Sequence, residues 1–252
     1  MNQLVIVHRS SLLQAVGDRV RLGYRHYCTG TVSAERASSW ARKACRYYAV
    51  DLDRNRRARA KKRGEGCAYL LFHEITPGML TWVLLVSPGD HPARQLEQLR
   101  DALDPAQRLQ LFGYEFVRLT KESIERPVWT WRMSSDTYEA LRANIIDTVR
   151  RGDTRAVRQL IVSLYRRVGF RGVRSQVGKA AALLRGEWKR RRGTEPLPRL
   201  PRLLPFVQRL RIESVPLTAW LSMNKLHANH GNDHTDGNPG GAQRPHDPAV
   251  QS

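Results

Sequence analysis

Almost all of the net charge of this chain lies in two short segments, and any fold that accepts the sequence must bring both to its surface. The 252 residues carry 43 Lys and Arg against 23 Asp and Glu, a formal charge of +20. Between Arg54 and Arg63 stand seven basic residues (Arg54, Arg56, Arg57, Arg59, Lys61, Lys62, Arg63) and no acid. From Arg142 to Arg192 there are fifteen basic residues and three acids, so the two segments hold nineteen of the twenty net charges. Such a self-repelling surface makes sense beside a polyanion, and nucleic acid is the expected partner. Only seven of the 43 cations are lysines. The planar guanidinium fork suits phosphate oxygens, guanine edges and stacked bases better than an ammonium does.

Other classes are disfavoured. Cys28, Cys45 and Cys67 lie far apart with no CxxC spacing, which argues against a disulfide framework and a structural zinc site and suits a reducing cytoplasmic setting. The apolar run from Leu4 to Val7 is too brief for a signal peptide, and no stretch approaches bilayer length, so no membrane role is expected.

Periodicity leaves the first thirty residues unassigned. It predicts a helix over 33–49, with Ala34, Ala37, Trp40, Ala41, Ala44, Tyr47 and Tyr48 at helical spacing and Ser33 as N-cap. The Arg54–Arg63 run, closed by Gly64 and Gly66, reads as a loop or frayed helix end. CAYLLFHE and MLTWVLLVS then form a hairpin pattern around Thr76, Pro77 and Gly78. Pro92 to Leu103 reads as a short amphipathic helix, followed by strands in LQLFGYEFVRL and PVWTWRM. After Met133 three helices are expected. The first is capped by Ser134 or Ser135 and ended by Gly152; the second starts near Thr154; the third carries Val173, Val177, Ala181, Leu184 and Trp188 on one face and Arg185, Lys189 and Arg192 on another. Pro196, Pro198, Pro201 and Pro205 make a stiff extended connector, Phe206 to Leu221 one last packed element, and the Asn-, Gly- and His-rich remainder an unstructured tail. The expected organisation is an α+β region over 1–133, its antiparallel sheet covered by helices on one face, a basic helical region over 134–222 and a tail over 223–252.

Three chemistries compete. The first is nucleic-acid binding by the helical region, in helix-turn-helix fashion or as a phosphate-gripping bundle. Its candidates are Arg166, Arg167, Arg171, Arg174, Lys179, Arg185, Lys189, Arg190, Arg191 and Arg192, joined by the Arg54–Arg63 run. The second is a stacking surface from Phe112, Tyr114, Phe116, Trp129, Trp131 and Trp82. Here the core reading outweighs the binding one, because large aromatics are mostly buried. The third is strand nicking, with Tyr138 as nucleophile and a divalent metal near His73 and Glu74. The His-x-His pair such enzymes use is missing, since Leu71 and Ile75 flank His73 at those spacings.

YLLFHE (Tyr69 to Glu74), TWVLLVSPGDHP (Thr81 to Pro92), GYEFVRLT (Gly113 to Thr120), PVWTWRM (Pro127 to Met133) and GFRGVRSQVGK (Gly169 to Lys179) resemble phrases of arginine-rich proteins carried on proteobacterial plasmids and integrative conjugative elements. The resemblance spans roughly residues 65 to 210. It implies service in replication, mobilisation, partition or regulation, and it assigns no residue a role. The sequence thus predicts a DNA-binding protein of a mobile element that needs no cofactor and works beside protein partners of a replication or transfer complex. The alternatives are a metal-dependent nicking enzyme using Tyr138 and an RNA-binding or RNA-processing module.

Overall fold

The computed structural model describes residues 3–121, 124–208 and 212–232. The architecture is α+β, built around two sheets. The first has six strands in the order β5-β2-β4-β3-β1-β9, namely β1 (Leu4–Ile6), β2 (His26–Ser33), β3 (Ala68–Thr76), β4 (Met79–Val86), β5 (Arg100–Asp101) and β9 (Ser214–Pro216). The β1–β3 pair is parallel, and the rest are antiparallel. The second sheet is the meander β6 (Gln110–Leu111), β7 (Tyr114–Lys121) and β8 (Ile124–Met133).

The β3–β4 hairpin forms where the sequence places it, and its continuous apolar runs have a structural cause. Helices cover both faces of the first sheet, not one as expected, so alternate residues enter different cores. Leu80, Leu84 and Val86 face α2 (Ala34–Tyr48) and α8 (Leu217–Asn232), whereas Val83 and Leu85 face the larger core. That larger core joins α1 (Arg9–Arg21) to the second sheet and to α5 (Ser135–Arg151), α6 (Thr154–Tyr165) and α7 (Arg171–Arg192). The step from sheet to helices at residue 133 therefore marks a change of secondary structure within one core.

Several local expectations are corrected. The basic run is a true helix, α3 (Arg54–Lys62), because Asp53 accepts a hydrogen bond from the Arg56 amide at 2.8 Å and caps it. Of 92–103 only one turn is helical, α4 (Ala93–Leu96); Tyr48 donates its hydroxyl proton to Glu97, where the backbone becomes extended, and Arg100–Asp101 joins the sheet. LQLFGYEFVRL is two strands, because Phe112 and Gly113, at φ +53° and +76°, make a tight hairpin turn between them. Past the connector, β9 closes on β1 through Val7 N–H to the Glu213 carbonyl and Leu217 N–H to the Gln3 carbonyl. Helix α8 passes Met223, where the tail was expected to begin, and runs to Asn232. Residues 233–252 of the expected tail lie outside the described residues.

The three-helix segment follows its sequence signals closely. Ser134 caps α5 by accepting from the Thr137 amide, and Gly152 ends it at φ +82°. Asp153 caps α6. Helix α7 runs along α5 in the same direction: Gln176 brackets Met133 at the start of α5, and the Arg192 guanidinium reaches the Gly152 carbonyl at its end. Gly172 permits this seating, since a Cβ there would lie 2.6 Å from the Trp131 carbonyl oxygen.

Candidate nucleic-acid interface

The expected apolar stripe of α7 is buried in full, from Val173 through Val177, Ala181 and Leu184 to Trp188. Burying that side fixes what the other presents. Lys179, Arg185, Lys189, Arg190 and Arg191 are exposed. Arg190 pairs with Glu187 at 3.1 Å; the other four make no ion pair or hydrogen bond among the described residues. Lys179, Arg185 and Lys189 thus give α7 an uncompensated cationic outer side backed by the packed core, while Arg191, seven residues after Leu184, falls on the side of the stripe just past its end. Arg166 stands exposed at the C-terminus of α6, where the helix dipole favours a cation, with Arg167 half-buried beside it.

Three expected contacts turn out to be structural. Arg57, 6% exposed, donates to the carbonyls of Leu52 at 2.8 Å, Val50 at 2.6 Å and Ala68, with its guanidinium 3.7 Å from the centre of the Tyr69 ring. Arg174 donates to the Leu204 carbonyl at 2.7 Å and stacks on Phe206, pinning the proline-rich connector. Arg192 is spent on Gly152, on Glu195 at 3.0 Å and on the Trp188 face. Arg171 is half-buried at the first turn of α7. On α3, Arg56 pairs with Asp53 and Arg63 with Glu65, while Lys61 lies over Tyr24. That leaves Arg54, Arg59 and Lys62 exposed without an ion pair among the described residues. The helix-turn-helix form is also not what is built, since α7 rests mainly on α5 and β8.

The nicking constellation gains no support from its geometry. His73 and Glu74 point to opposite faces of the first sheet. Buried His73 bonds the Ile6 carbonyl at 2.8 Å, and Glu74 accepts from the Trp220 indole at 3.1 Å. Tyr138 does sit in the first turn of α5, but burial pushes its phenol pKa up, with Arg142 opposing and Glu139 adding, and a nucleophilic phenolate needs the reverse. Among the described residues no group of three His, Cys, Asp or Glu is placed to hold a metal ion.

The aromatic residues divide. Trp131, Phe116 and Tyr114 are buried; Trp131 donates to the Leu13 carbonyl at 2.8 Å, and Trp129 stacks on Phe116. Phe112 lies in the hairpin turn against His73. Trp82, half-buried like Phe112 and Trp129, differs in facing the other core, towards α2 and beside half-buried Trp40. Sequence reasoning placed Trp40 in a helix and Trp82 in a strand without a means of joining them.

Comparison with protein families, curated proteins and solved structures finds no match to this chain. Among the described residues no helix is long and apolar enough to cross a membrane.

Proposed function

We propose that the chain binds nucleic acid, DNA foremost, by laying the outer face of α7 along a phosphate backbone, with Arg54, Arg59 and Lys62 of α3 and Arg166 as further contacts. The observation that carries this reading is the set Lys179, Arg185 and Lys189, exposed and without an ion pair among the described residues on the sides of α7 turned away from the buried Val173–Trp188 stripe. An ordinary solvated helix intersperses both signs of charge, whereas α7 has one acid, Glu187, and it is buried. The resemblance to plasmid-borne arginine-rich proteins supports a cytoplasmic place in replication, mobilisation, partition or regulation.

The test is the triple variant Lys179→Gln, Arg185→Gln and Lys189→Gln. Arg192 is left in place because it holds the end of α7, and Arg191 because it falls on the side of the buried stripe. Each phosphate contact removed lowers counterion release, so the slope of log affinity against log salt on duplex DNA should shrink by roughly 2 to 3. Glutamine retains helix propensity, so the fold should survive. A folded triple variant with unchanged affinity and slope refutes the reading, and titration against duplex, single strand and RNA fixes the class of nucleic acid.

A further inference from the structure

Away from α3 and α7, a depression of about 690 Å³ opens where the N-terminal half of α2 diverges from the ends of β2 and β4. Its size falls in the range of sites that take small molecules, about 300–1,000 Å³. Its floor is aromatic: Trp40 and Trp82 meet at 4.8 Å between ring centres with their planes 49° apart, an open wedge. Trp82 lies against the backbone of its cross-strand partner Gly30, where a Cβ would come within 2.6 Å of the indole. Only glycine lets the ring settle there.

The rim is cationic. Arg36, exposed and without an ion pair among the described residues, stands on one side. Lys43 stands on the other, its ammonium 5.3 Å from the Trp40 ring centre and 3.8 Å from Glu97. Among the described residues no carboxylate lines the depression itself; Glu35 stands beside it, accepting a hydrogen bond from Ser33 at 3.1 Å. Beside it the outer edge of β2 is open: β5 pairs only with His26 and Tyr27, so among the described residues Cys28 to Ser33 have a strand neighbour on one side alone. A ligand that fits must offer flat aromatic surface, negative charge and polar edges together.

We propose that this depression holds an unpaired nucleotide of a single strand, with the base against Trp82 and Trp40 and the adjoining phosphates at Arg36 and Lys43. The charge complementarity selects this occupant over an apolar segment of a protein partner, which would leave Arg36 without a counter-charge and face Lys43 with no polar group. Stacking on aromatic side chains is the usual way in which single strands are gripped without sequence readout. The inference shares its class of ligand with the proposed function but none of its residues.

The experiment compares a fifteen-residue thymidine strand with an abasic strand of the same length on the full chain at fixed salt. A surface that grips only phosphate cannot tell them apart. Stacking should favour the thymidine strand about ten-fold. Trp82→Leu should reduce that preference to less than about two-fold while duplex affinity stays unchanged, and Arg36→Gln with Lys43→Gln should weaken both single strands. Photocrosslinking of a 5-iodouracil strand to the unmutated protein, which needs no variant to fold, should mark Trp40 or Trp82. Equal binding of the two strands, a preference that survives in folded Trp82→Leu, or crosslinks only at other aromatics overturns the assignment. None of these results bears on α7, whose triple variant is read on duplex DNA.

Discussion

Replacing Arg57 separates arginines that build the fold from those that face outward. Methionine at 57 keeps most of the volume and the contact with Tyr69, but it removes the donors serving the carbonyls of Leu52, Val50 and Ala68. Val50 and Ala68 are buried, so water does not replace the lost bonds readily. An orphaned buried acceptor costs about 1–3 kcal/mol, and relief from burying a charge offsets part of that, so Arg57→Met should lose about 2–4 kcal/mol. Against a typical total of about 5–15 kcal/mol this is a large fraction. Urea unfolding followed by circular dichroism should show a lower midpoint at an unchanged m-value. The duplex salt slope, measured where the variant is folded, should not move. The companion variant Arg54→Gln, Arg59→Gln, Lys62→Gln should do the opposite, leaving the midpoint in place and shrinking the slope. If Arg57→Met cost less than about 1 kcal/mol and reduced the slope, Arg57 would be reaching nucleic acid, and this account of α3 would be wrong.

Gly172→Ala forces a Cβ to within 2.8 Å of the Arg132 Cβ and closer still to the Trp131 carbonyl, so α7 must back away from β8 at a net loss of about 1–2 kcal/mol; Gly178→Ala, with no atom within 4 Å of its Cβ, should gain up to about 1 kcal/mol from helix propensity. Paired thermal melts check both signs. Buried His91 donates to the Tyr48 carbonyl and accepts from the Ala93 amide, and burial lowers its pKa against the opposing pull of that carbonyl. The unfolded chain then takes up the proton first, so the His91 contribution is intact above about pH 6.5 and is lost as pH falls below it. Midpoints at pH 7.5 and 5.5 should differ in that sense, and by less in His91→Gln. Burial, with Glu97 adding, pushes the Cys28 thiol up to about 12. Iodoacetamide at pH 8 should spare Cys28 in the native protein and label it in urea, as peptide mass mapping would show.

What the sequence determined by itself was whatever local chemistry specifies. The α5 cap at Ser134, its stop at Gly152, the α7 stripe from Val173 to Trp188 and the β3–β4 hairpin all follow from spacing and turn residues within a few positions of one another. The α+β class followed from their order. Helix α1 escaped although Leu12, Leu13, Val16 and Val20 recur at helical spacing: it is short, Gly17 sits in its middle, and small Ser11 and Ala15, which carry little apolar signal, share the buried side. Helix α3 escaped because a guanidinium, Arg57, fills the inward position that periodicity reserves for an apolar residue. Strands β1 and β9 are three residues each and exist only through partners far along the chain. The tertiary structure alone decided which cations are spent on carbonyls, as Arg57, Arg174 and Arg192 are, and which remain outward on α7. It alone brought Trp40 of α2 beside Trp82 of β4 over Gly30. Charge and periodicity are properties of neighbours in sequence, whereas a donor's acceptor and a ring's partner are fixed only when distant segments pack.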